Sequence, residues 1–283
     1  MQRKFTSVAI LGPGMLGGSV ALAIRDRMPD CQLSLWGRRE GPLEKARALG
    51  IDQASTDLEA MVKGAELIVL ATPVGVMPEM VRQLIAMELS PSPVITDVGS
   101  VKRMVHEMLN PMIEGTGVSF VGSHPMAGSE QPGIDAAKVG LLDGAACLVT
   151  NDSGADNEIV DGVEAFWSEL GCKVRRMTAE DHDYAVARVS HFPHVLASVG
   201  ATVGLDFPDI ADLCGGGMRD TTRVAAGNPS LWTEILMENR DALQRSMQEG
   251  IGDLNRLIEM LQDRDEASLH QYLEEARKRR KLI

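Results

Sequence analysis

The segment Gly12-Pro13-Gly14-Met15-Leu16-Gly17 follows the apolar run Val8-Ala9-Ile10-Leu11 directly and opens onto Ser19-Val20-Ala21-Leu22-Ala23. A strand, a tight glycine turn and a helix in that order leave few folds open. Gly12 permits the turn, Gly14 lets the backbone approach an anion, and Gly17 lets the helix close on the strand. The ligand that suits such a turn is a pyrophosphate at the helix N-terminus. Spacing alone would also fit an ordinary glycine-rich turn; the flanking strand and helix favour the phosphate reading. Gly12, Gly14, Met15, Leu16 and Gly17 are therefore candidate cofactor contacts.

Short apolar runs continue along the first part of the chain, at residues 33–36, 67–71, 94–97, 118–121, 146–150 and 172–174. Segments of helical spacing separate them, such as Pro42 to Leu49 and Val76 to Met87. Uniformly apolar strands alternating with helices predict a mostly parallel, doubly wound sheet covered on both faces. From Thr178 onward the pattern is helical. Asp181 to Val203 reads as one long helix bent at Pro193, followed by helices over Trp232 to Gln248, Ile251 to Asp263 and Glu266 to Lys278. Leu254, Ile258 and Leu261, and likewise Leu269 and Leu273, recur at helical spacing and are read as a packed face. The fold class is thus an α/β Rossmann-type N-terminal domain, residues 1–178, joined to an all-α C-terminal domain, residues 179–283.

The formal net charge of −12 repels phosphate backbones, so nucleic acid is not an expected partner. No apolar stretch is long enough for a membrane span, and the N-terminus has no signal-peptide core. Cys31, Cys147, Cys172 and Cys214 form no metal or disulfide pattern, which suits reduced cysteines in a cytoplasmic protein and no bound metal. The basic run from Arg277 to Lys281 is a solvated helix end rather than a binding patch.

An anionic ligand must then be held by local donors. The second strand ends not in the Asp or Glu that binds a ribose 2′-hydroxyl but in Trp36-Gly37-Arg38-Arg39. Guanidinium groups bind a 2′-phosphate by charge-assisted hydrogen bonds, so NADP is the expected cofactor, with NAD possible if Arg38 and Arg39 are only exposed helix-start residues. Thr72 and Pro73, ending the third run, either touch the cofactor or serve the turn.

Two loops fall at the catalytic edge of such a sheet: Asp97-Val98-Gly99-Ser100-Val101-Lys102 and Gly122-Ser123-His124-Pro125-Met126-Ala127-Gly128-Ser129-Glu130. A histidine in the second is a candidate acid or base. The helical half adds Ser190-His191-Phe192-Pro193-His194, then Gly215-Gly216-Gly217-Met218-Arg219-Asp220-Thr221-Thr222-Arg223, then Asn228-Pro229-Ser230-Leu231-Trp232. An arginine there could take a carboxylate with two hydrogen bonds, or simply follow a helix cap.

Together these segments closely resemble the prephenate/arogenate dehydrogenase family of tyrosine biosynthesis, over nearly the whole chain. The resemblance implies oxidative decarboxylation of prephenate to 4-hydroxyphenylpyruvate with hydride transfer to NAD(P). It implies His124 as the base that takes the ring-hydroxyl proton and Ser100 as a serine hydrogen-bonded near it. It implies Arg223 on a substrate carboxylate with Asp220 orienting it, Ser129, Glu130 and His194 in the substrate pocket, and Trp232 at its edge. It also implies a homodimer packed through the helical domains. The pair Gly37-Arg38 departs from the acid of many members and bears on the cofactor. His194 resembles prephenate users rather than arogenate users. Two other readings are another 3-hydroxyacid-type dehydrogenase, separable by a substrate panel, and an NADP-binding redox sensor, in which His124→Ala would leave partner binding unaffected.

Overall fold

The computed structural model describes residues 4–128, 131 and 133–283. Eight strands form one sheet: β1 (Ser7–Leu11), β2 (Gln32–Trp36), β3 (Ala54–Ser55), β4 (Leu67–Leu70), β5 (Val94–Asp97), β6 (Ser119–Pro125), β7 (Ala146–Thr150) and β8 (Lys173–Met177). Their order is β3-β2-β1-β4-β5-β6-β7-β8, parallel throughout except where β7 runs antiparallel to β6. Six of the sequence-predicted runs and the first fall on strands; β3, only two residues long, had no apolar run to announce it.

Alternation along β1 shows why the sheet is covered twice. Val8 and Ile10 face one core with α1 (Met15–Arg27), α2 (Glu40–Ala48) and α6 (Asn157–Glu169); Ala9 and Leu11 face the other. That second core is closed by α3 (Leu58–Val62), α4 (Met77–Ala86) and α5 (Arg103–Ile113). All four residues are fully buried, so each face contributes hydrophobic stabilisation of roughly 1.5–3 kcal/mol per large side chain. The strand order reverses between β1 and β4, which opens a crevice at their carboxyl ends.

The helical part begins with α7 (Ala179–Val186) and α8 (Phe192–Gly204), joined by a π-helical turn over Ala187–His191. The long helix expected from Asp181 to Val203 is therefore continuous but carries its irregularity just before Pro193. The proline lacks an N–H and crowds the carbonyl four residues back, and the wider turn absorbs both. Beyond it lie α9 (Gly216–Thr222), α10 (Pro229–Glu238), α11 (Arg240–Gln262) and α12 (Glu266–Arg280). Two expected boundaries are corrected. The helix from Trp232 breaks at Asn239, and α11 runs unbroken through Gln248 and Ile251. A further expectation fails within the single chain: Leu254, Ile258, Leu261 and Leu273 are exposed rather than packed. No helix among the described residues is long and apolar enough to cross a membrane.

Candidate active site

Each glycine of the first turn has a separate steric reason. Gly12 has φ +125°, and a Cβ there would lie 2.3 Å from the carbonyl oxygen of Ala71 at the end of β4. A Cβ at Gly17 would lie 2.0 Å from the Gly12 carbonyl oxygen. Gly14 caps α1 and faces open space. The backbone thus closes tightly behind the turn and leaves room in front, which is the arrangement a pyrophosphate needs. Met15 and Leu16 form the first turn of α1.

A cleft of about 500 Å³ extends from this turn, walled by Arg38, Arg39, Thr72 and Pro73 among others. Arg38 and Arg39 are exposed, and Arg39 is the residue that caps α2. The Thr72 hydroxyl oxygen is buried with no hydrogen-bond partner, a polar group in want of a ligand. Turn, cations and unsatisfied hydroxyl all fit a dinucleotide.

Two strands beyond β4, β6 changes partner. Its first half pairs with β5 as far as Thr96↔Val121; its second half pairs with β7, His124 opposite Leu148. This carries His124 beyond the end of β5, at the carboxyl edge. The loop after β5 holds Ser100, half-buried. Its Lys102 is fully buried, with Nζ 2.5 Å from Asp97 Oδ2, 2.9 Å from the Gly99 oxygen and 3.0 Å from the Val101 oxygen. Asp97 also accepts from the backbone N–H of Ser123 (3.0 Å) and Gly99 (2.9 Å). One buried ion pair therefore fixes both catalytic-edge loops.

His124 is paired not with Ser100 but with α7. Its Nδ1 lies 2.9 Å from His182 Nε2, and His182 Nδ1 lies 2.7 Å from Asp183 Oδ1. The carboxylate only accepts, so His182 donates from Nδ1 and accepts at Nε2. His124 then donates from Nδ1 and keeps its lone pair on Nε2. Asp183 is held in turn by the backbone N–H groups of Lys102 (2.8 Å) and Arg103 (3.0 Å). Burial, then the neighbouring His182, Lys102 and His191, push the His124 imidazole well below its usual range. Neutral imidazole with a basic Nε2 is the form a proton acceptor needs.

The helical elements complete the wall. Trp232 of α10 stacks on His194 of α8, ring centroids 3.5 Å apart and planes at 9°. His194 Nδ1 is buried without a partner. His191 meets Trp232 edge-on at 6.3 Å and is pushed down to about 4 by burial. Arg223 follows α9 and is exposed; the Asp220 side chain, exposed on α9, has no hydrogen bond or ion pair among the described residues. The glycines before it start a helix rather than end one, Gly215 being the cap. Ser129 and Glu130 lie outside the described residues. Sequence reasoning missed His182, Asp183, Asp97 and Lys102; the last two bracket the Ser100 loop, and His182-Asp183 stand at the start of a helix where no apolar or glycine signal marks them.

A dinucleotide cleft at the sheet's switch point, a buried histidine on the same carboxyl edge and a helical domain together define a two-domain oxidoreductase. Residues 20–176 match the family model for the prephenate dehydrogenase nucleotide-binding domain, and residues 178–275 match that for the prephenate dehydrogenase dimerization domain. The chain is 33% identical over 282 residues to the cyclohexadienyl dehydrogenase of Zymomonas mobilis, covering 98% of this chain and 95% of that protein. It is 32% identical over 280 residues to the prephenate dehydrogenase of Lactococcus lactis, covering 98% and 77%. A crystal structure of Aquifex aeolicus prephenate dehydrogenase, in complex with hydroxyphenyl propionate and NAD+, superposes with a TM-score of 0.90 at 28% identity over 100% of this chain and 99% of that one. The chain belongs to the prephenate dehydrogenase family.

Proposed function

We propose that this protein oxidatively decarboxylates prephenate to 4-hydroxyphenylpyruvate, with NADP preferred over NAD. The observation that carries the reading is the Asp183–His182–His124 chain, which leaves a basic nitrogen at the same carboxyl edge of the sheet as the nucleotide cleft. His124 Nε2 takes the proton of the ring hydroxyl as the carbonyl forms. Bound in the cleft, the nicotinamide supplies the hydride acceptor. Loss of the ring carboxylate as carbon dioxide then gives the aromatic ring. Ser100, on the same edge, hydrogen-bonds the reacting hydroxyl. Arg223, oriented by Asp220, takes a substrate carboxylate, and Ser129 and Glu130 serve the substrate pocket. The unsatisfied Nδ1 of His194 takes a side-chain polar group of the substrate, and Trp232 holds that imidazole by stacking.

Gly12, Gly14, Met15, Leu16 and Gly17 hold the pyrophosphate, Thr72 and Pro73 flank it, and Arg38 and Arg39 take the 2′-phosphate. Residues 1–178 serve the cofactor and residues 179–283 the substrate and a second copy. The exposed apolar positions Leu254, Ile258, Leu261 and Leu273 support that homodimer, since a row of open aliphatic side chains is otherwise costly in water. A cytoplasmic location suits the four free cysteines.

The test is turnover of prephenate or arogenate with NADP or NAD, followed by the absorbance of reduced nicotinamide. Fastest turnover is expected with prephenate and NADP. Preference for arogenate would overturn the reading of His194, and preference for NAD that of Arg38 and Arg39. Silence in all four mixtures, from folded protein that binds cofactor, would overturn the reaction itself.

A further inference from the structure

The connection from β6 to β7 returns across the front of α1. The Lys138 N–H donates to the buried Ser19 hydroxyl at 3.1 Å, and a Cβ at Gly18 would lie 2.8 Å from Ala137 Cβ and 3.2 Å from Ile134 Cγ1. The short turn Ile134–Ala136 is thereby pinned at the mouth of the nucleotide cleft. From it Asp135 reaches across to form an ion pair with Lys45 of α2. Both side chains line the same cleft as Arg38 and Arg39, and both remain largely open to solvent, Lys45 at 56% and Asp135 at 69%.

We propose that Lys45 is a third cation of the 2′-phosphate subsite and that Asp135 is its exchangeable counter-ion, so that the pair tunes the choice between NADP and NAD. The proposal rests on the reading of Arg38 and Arg39 as the 2′-phosphate ligands. Its physical basis is the imbalance between the two partners available to Lys45. An exposed lysine–carboxylate pair is screened and contributes little, so its ammonium is readily surrendered. A phosphate monoester carries more charge than a carboxylate and offers three acceptor oxygens, and displaces it. A neutral ribose hydroxyl has no such charge and leaves the pair closed. Asp135, fixed on its pinned turn, meanwhile remains in the cleft as a negative charge facing the incoming phosphate. Lys45 therefore favours NADP and Asp135 opposes it.

Isothermal titration calorimetry on the full chain tests this with NADP+, NAD+ and adenosine 2′-monophosphate as probes. Lys45→Met is expected to weaken NADP+ and adenosine 2′-monophosphate about tenfold and to leave NAD+ within about twofold. Asp135→Asn is expected to tighten NADP+ about threefold, with the gain shrinking as salt is raised. Unchanged NAD+ binding shows that each variant is folded. If Lys45→Met binds NADP+ like the wild type while Arg38→Met and Arg39→Met lose affinity, the role of Lys45 is refuted and the two arginines keep theirs. If the wild type binds NADP+ no better than NAD+ and the arginine variants are equally silent, the underlying reading of the subsite fails and this proposal with it.

Discussion

His124→Asn is expected to lower kcat by about a thousandfold while leaving cofactor affinity within about twofold, because a positioned general base contributes roughly 10²–10⁴ to rate and none to nucleotide binding. The asparagine amide can still donate to His182 Nε2, so the substitution removes the basic nitrogen and little else. The pH profile carries an independent part of the same argument. Burial pushes His124 down first, and the nearby His182, Lys102 and His191 push it further. The neutral form is the competent one, and it is lost only as pH falls through this lowered value. The acid limb of kcat/KM is therefore expected well below the ordinary histidine value of about 6.5. An acid limb at or above that value, or a variant with turnover within about tenfold of the wild type, would remove His124 from the role of base.

What the sequence made legible was what local sterics decide. The glycine turn is one case, since Gly12 is required by the Ala71 backbone just past β4 and Gly17 by the Gly12 carbonyl just past β1. The apolar strands are another, because burial on both faces writes itself as an unbroken run. The misread features are tertiary. Asn239 ends α10 because its buried amide donates to the Asp183 carbonyl (2.8 Å) and lies 3.1 Å from His191 Nδ1, groups 56 and 48 residues away. Gly250 looks like a helix stop, yet α11 runs through it. There the glycine makes room for the Phe192 ring, whose Cζ would lie 2.3 Å from a Cβ. His182 reaches His124 across 58 residues, with no motif to join them. The leucines of α11 and α12 have a clear period, but a period shows that a face is apolar and not which chain covers it.

Lys102 gives the largest expected effect on stability. Both Lys102 and Asp97 are fully buried and 2.5 Å apart. The pair as a whole need not be more stable than a well-packed apolar replacement, because desolvating two ions offsets much of their attraction. Removing one partner is different, since it strands the other charge. Lys102→Met is therefore expected to cost about 3–5 kcal/mol, read as a lower denaturant midpoint at neutral pH. The lysine also ties down the carbonyls of Gly99 and Val101, so the loop that presents Ser100 should loosen and turnover fall with stability. The double variant Asp97→Asn/Lys102→Met separates the two consequences. It removes the stranded charge, and the one asparagine oxygen keeps one of the two N–H groups, Ser123 or Gly99, that bond to separate oxygens of Asp97. Stability should return in part, short by the one backbone N–H left without its acceptor, whereas the loop carbonyls stay unheld and activity stays low. A single variant within about 1 kcal/mol of the wild type would show that the aspartate is not held as a stranded buried charge. A double variant no more stable than the single one would show that loop anchoring, rather than charge balance, is what Lys102 contributes to the fold.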